Sequence, residues 1–70
     1  MEKYTVIRES ANWTPDKLLG TYGTIFEALA RLPKGYKAYA AYNVEFKNLY
    51  RYIRFRKDGI KSEYTIECYH

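Results

Sequence analysis

At 70 residues the chain has room for a single domain, 1–70, near the lower limit at which one core holds a fold without staples. Hydrophobic residues make up 47% and tyrosine alone contributes nine positions, against four glycines and two prolines, which excludes the composition of a disordered chain. A net charge of +4 suits nucleic acid, an acidic protein surface or anionic lipid as a partner, and the single cysteine, Cys68, excludes an internal disulfide.

The compartment follows by default. A lone thiol fits a reducing, cytoplasmic location. No stretch approaches the ~20 apolar residues of a membrane span, and MEKYTVIRES lacks the apolar run of a secretory signal, so no membrane partner is expected.

The segment KYTVIRE, Lys3 to Glu9, is rich in β-branched and aromatic residues and predicts a strand. SANWTPDKLLGTYG follows. Thr14 and Pro15 there suit the cap and first position of a short helical turn, and Gly20 and Gly23 stop anything longer. Trp13, Leu18 and Leu19 require burial, so this segment is expected to fold back over the edge of the core. Thr24 and Glu27 form a T-x-x-E capping box, and Ile25, Phe26, Leu29 and Leu32 share one helical face. The spacing predicts a helix over 25–32, ended by Pro33, with Gly35 taking the left-handed turn beyond it.

The rest predicts a meander of strands. Asp58-Gly59 signals a tight hairpin, since a type I′ turn needs positive φ at both central residues. Closing it pairs Arg54 with Glu63 and Ile53 with Tyr64. That register puts Leu49, Ile53, Phe55, Ile60, Tyr64, Ile66 and Cys68 on one face, with Tyr50, Tyr52, Arg54, Arg56, Lys61, Glu63, Thr65 and Glu67 on the other. A turn at Lys47-Asn48 sets Phe46 beside Leu49, Tyr42 beside Ile53 and Ala40 beside Phe55. Tyr39 and Lys37 then join the polar face. Arg51 is the exception: it falls on the apolar face and belongs at its uncovered margin. The expected fold is α+β, a two-layer sandwich with one short helix on a mainly antiparallel four-stranded sheet, in the order β-α-β-β-β. A right-handed crossover would lay the first strand parallel to an edge of the meander.

The residues that carry chemistry are sparse. His70 is the only histidine and ends the chain, where chains fray and a general base lacks support. Cys68 falls on the core face, where a free cysteine acts as a small hydrophobe. LLGTYGT lacks the lysine and the strand–helix setting of a phosphate-cradling loop. No catalytic residue, metal ligand or cofactor is assigned, and the chain is not expected to be an enzyme.

What remains is the polar face. Tyr39, Tyr50, Tyr52, Arg54, Arg56, Lys37 and Lys61 combine rings for stacking with cations for phosphate, as in sheets that bind single-stranded nucleic acid. The same residues suit a protein partner, since tyrosine and arginine dominate interface hot spots. A homodimer through a sheet edge or face is a third expectation. The stretch YRYIRFRK has the aromatic-basic alternation of RNA-recognition motifs but neither their glycines and valine nor their two-helix layout. In size and layout alone, the profile resembles that of small phage or mobile-element inhibitors of host machinery, including anti-CRISPR proteins. That resemblance implies a target among nucleic-acid-handling protein complexes.

Overall fold

The computed structural model describes residues 1–10 and 17–70 in full and residues 15 and 16 by their backbone. Trp13 and Thr14, to which burial and a helix cap were assigned above, lie outside the described residues.

The chain forms a sheet with one short helix on one side. The elements are β1 (Lys3–Glu9), β2 (Pro15–Tyr22), α1 (Ile25–Leu29), β3 (Lys37–Phe46), β4 (Leu49–Arg56) and β5 (Glu63–Tyr69). The five strands lie in the order β2-β1-β5-β4-β3, and every neighbouring pair is antiparallel. The expectation of four strands therefore fails at 15–22, where a strand replaces the helical turn. Gly20 does not end that segment. It sits in a strand at φ +152, paired with Val6 and next to a bulge that leaves Leu19 without an opposite residue. The added strand also corrects the placement of β1. Each neighbour reverses direction, so β1 lies antiparallel beside β5, and the crossover through α1 joins β2 to β3 at the two edges of the sheet.

The core lies between the helix and one face of the sheet. Val6, Ala28, Phe55, Tyr64, Ile66 and Cys68 are its buried residues. The helix sits over β1 and β2. Leu32 and Tyr36, on the segment leaving it, pack against the core as well, with the Tyr36 ring edge-on to Tyr64 at 4.8 Å and its hydroxyl donating to the Ser62 carbonyl at 3.2 Å.

The helix begins as its sequence requires. The Thr24 hydroxyl accepts the Glu27 amide at 3.2 Å and donates to the Glu27 carboxylate at 3.0 Å. It ends earlier than the periodicity predicts, at Leu29. The next turn is tightened by bonds from Arg31 to Ala28 and from Leu32 to Leu29, since Pro33 disfavours a helical conformation at Leu32. Its buried face also differs. Ala28 is fully buried, while Phe26 is 80% exposed. The small alanine lets the helix approach β1 and β2 closely, and Phe26 and Leu29 turn outward.

Both turns of the meander form, with different registers. At Lys47-Asn48 the loop has two residues, Lys47 takes φ +57, and Phe46 faces Leu49. At Asp58-Gly59 only the glycine has positive φ, so the turn is not type I′. Other turns splay the flanking strands. The ladder accordingly stops at Phe55–Tyr64, and the register moves by two residues: Ile53 faces Ile66 and Arg54 faces Thr65. A shift of two keeps every side chain on its face. Odd shifts do not. A bulge between Asn43 and Phe46 puts Tyr42 opposite Tyr52 instead of Ile53, and Ala40 opposite Arg54 instead of Phe55, and a second between Ala38 and Ala40 shifts the register again, setting Lys37 opposite Arg56. No described helix or strand covers the sheet face opposite the core.

Candidate functional site: the uncovered face of the sheet

The polar face has a charged centre. The Arg54 guanidinium lies 2.9 Å from Glu9 and 3.1 Å from Glu63 through Nη2, and its Nε donates to the Tyr39 hydroxyl at 2.9 Å. The Tyr39 hydroxyl donates to Glu63, and the Thr65 hydroxyl donates to Glu9 at 2.6 Å. Four strands supply these groups: Glu9 on β1, Tyr39 on β3, Arg54 on β4, Glu63 and Thr65 on β5. The Arg54 side chain is only 11% exposed. Burial works against its charge, but the bonds to Tyr39 and Glu63 and the field of Glu9 outweigh it and hold the guanidinium more firmly protonated than usual. Burial and the bond to Glu63 raise the Tyr39 hydroxyl above its ordinary range.

This arrangement corrects the assignment of Arg54 as a binding cation. Its charge is already matched by two carboxylates and enclosed. The sequence placed Glu63 near it, directly opposite; in the structure the contact is diagonal across the strands. Glu9 was missed because the position of β1 beside β5 was not legible.

Tyr50 is also corrected. A bulge between Leu49 and Arg51 turns it to the core side, where its ring packs against the core and its hydroxyl lies 3.5 Å from Glu2. Glu2 also accepts from Tyr4, and that bond raises the Tyr4 hydroxyl well above its ordinary range. His70 stacks on Tyr50 with ring centroids 4.2 Å apart, and its amide donates to the Asn48 carbonyl at 2.9 Å. His70 is therefore held by a ring contact and a backbone bond. Lys61 lies in the loop after β4, exposed, and not on a strand.

Four of the expected residues remain on the uncovered face: Lys37, Tyr39, Tyr52 and Arg56. Lys37 and Arg56 are exposed and directly opposite one another on β3 and β4. The Arg56 guanidinium stands 4.7 Å from the centre of the Tyr39 ring. Tyr52 pairs with Tyr42, centroids 4.9 Å apart and tilted by 31°, and Tyr42 is 46% exposed. Tyr42 had been assigned to the core; the bulges of β3 bring it here. The ion pairs among the described residues belong to Arg54, so its network takes up Glu9 and Glu63 and leaves Lys37 and Arg56 unmatched.

Arg51 faces Cys68 across the ladder and is exposed, at the margin expected for it. Cys68 is buried, and burial pushes its thiol up, away from a reactive thiolate. Among the described residues, no group of three His, Cys, Asp or Glu is placed to hold a metal ion, and no helix is long and apolar enough to cross a membrane.

Compared with known proteins, the chain matches no family model, and no curated protein or solved structure is significantly similar to it.

Proposed function

We propose that this chain is a non-enzymatic binding module, and that it binds single-stranded nucleic acid on the uncovered sheet face over β3 and β4. One observation carries the reading. A tyrosine pair, exposed Tyr42 and half-buried Tyr52, shares a face with Lys37 and Arg56, while two acids of that face, Glu9 and Glu63, are held by Arg54 and a third, Glu67 opposite Tyr52, accepts from the Tyr69 hydroxyl. Rings stack bases of any sequence, and cations that no carboxylate already neutralises attract the backbone. A reducing, cytoplasmic setting suits the free thiol of Cys68.

The test is fluorescence anisotropy with labelled single-stranded DNA, single-stranded RNA and duplex DNA at low and moderate salt. A Tyr42→Ala, Tyr52→Ala variant of verified fold should lose about 1–3 kcal/mol per unstacked base. Binding that survives this double substitution unchanged removes the tyrosine pair from the account.

A second reading has its own support. Phe26 and Leu29 turn outward from the helix, on the other side of the sheet. An apolar pair of this kind suits a protein partner, such as a nucleic-acid-handling complex blocked by a small inhibitor. Under that reading, Phe26→Ser abolishes complex formation and the tyrosine substitutions do not.

A further inference from the structure

We propose that the groove at the open end of the β3–β4 ladder is a phosphate site for a polynucleotide backbone, held by Lys37, Arg56 and Lys57. This rests on the single-strand reading above and specifies where the strand's phosphates sit. The groove has a volume of about 530 Å³, and among the described residues Asp58 is the only acid that lines it.

Two of the three cations, Arg56 and Lys57, are placed by groups other than acids. Lys37 and Arg56 are direct cross-strand neighbours, and like charges in that position repel. A bound anion relieves the repulsion. Arg56 is oriented by the Tyr39 ring, which is itself fixed through its hydroxyl to Arg54 and Glu63. The Lys57 stem lies against Gly35. There φ is +95, and an added Cβ would stand 2.9 Å from the Lys57 Cε. Glycine thus supplies both the turn and the space for the lysine. The set matches phosphate chemistry: a planar fork for bidentate contact beside two point charges. Tyr52 and Arg56 lie four residues apart on the same face of β4, about 13 Å at ~3.3 Å per residue. One short strand can therefore stack on the tyrosines while its backbone reaches the groove.

The experiment measures the salt dependence of binding to a labelled oligothymidylate. Wild type is compared with Lys37→Gln, Arg56→Gln, Lys57→Gln, and with a control, Lys3→Gln, Lys17→Gln, Arg31→Gln, that removes equal charge elsewhere. Folding of each is checked by circular dichroism. Each lost phosphate contact lowers the slope of log affinity against log salt by about 0.7, so the groove variant should lose about two and the control far less. Equal losses in both variants assign the effect to net charge and overturn the groove. Binding by wild type with an unchanged slope in the groove variant overturns the groove but leaves the tyrosine platform standing. No oligonucleotide binding by wild type at low salt ends both. Polyglutamate competing as well as unlabelled oligothymidylate would make the groove a site for acidic protein segments and overturn the assignment to nucleic acid.

Discussion

Replacing Arg54 should unfold the protein more readily. The Arg54 side chain is 11% exposed, Glu9 13% and Glu63 21%, so removing the cation strands two nearly buried carboxylates. Breaking a buried pair from one side costs about 3–5 kcal/mol, and the partial exposure of Glu63 points to the lower end, about 3 kcal/mol. A chain of this length has a total stability of only about 4–10 kcal/mol. Urea unfolding followed by circular dichroism should therefore show a large fall in midpoint for Arg54→Met at unchanged m-value. In a Glu9→Gln, Glu63→Gln background the same substitution strands no charge and should cost about 1 kcal/mol. The difference, a coupling of about 2 kcal/mol, is the quantity to measure. A coupling below about 0.5 kcal/mol is the value of a solvated surface pair, and would refute the argument that the network is enclosed.

Other outcomes follow from the packing and from the tyrosines. Ala28→Leu should destabilise by about 1–3 kcal/mol, because a fully buried alanine sets the distance between helix and sheet, whereas Phe26→Ser at an 80% exposed position should stay within about 0.5 kcal/mol. Equal effects at the two positions in a thermal melt would contradict the helix orientation. In alkali, Tyr69 is held neutral by burial and by its hydroxyl bond to Glu67, which raise its pKa from 10.0 to about 12. The folded state then binds more protons than the unfolded state in that window, so stability should fall as pH rises from about 10 to about 12. Tyr69→Phe should flatten part of the fall, as read by denaturant midpoints across the range; an unaltered pH profile would exclude the contribution.

The legible parts of the fold were those fixed by local chemistry. KYTVIRE forms a strand because its β-branched and aromatic residues suit a half-buried pleat, Thr24 and Glu27 cap a helix within one turn, and Lys47-Asn48 closes a two-residue loop. The faces of β5 and of β4 from Arg51 onward also survived, because an error of two residues in register leaves the alternation intact, whereas the bulge at Tyr50 does not. The illegible parts are set by contacts distant in sequence. PDKLLGTY has weak strand character, and only pairing with β1 makes it a strand. In β3 the bulge that turns Tyr42 outward lies between Asn43 and Phe46, where Val44, Glu45 and Phe46 keep the simple apolar–polar alternation, so nothing local marked it. Ala28 was overlooked as a core residue because periodicity favours the larger Phe26 and Leu29, while close packing on the sheet favours the smallest side chain. Of the candidate site, Lys37, Tyr39, Tyr52 and Arg56 were legible from alternation. Lys57 and Gly35 were not, since the loop geometry after β4 brings them together.

The central claim is a location, and chemical-shift mapping tests it most directly. Amide spectra of the labelled protein would be recorded as oligothymidylate is added. The account predicts perturbations concentrated at 37–42 and 52–57, with residues 25–29 and the Glu2, Tyr4, Tyr50 and His70 cluster left unchanged. Shifts centred on Phe26 and Leu29, or spread evenly over the lysines and arginines, would contradict it.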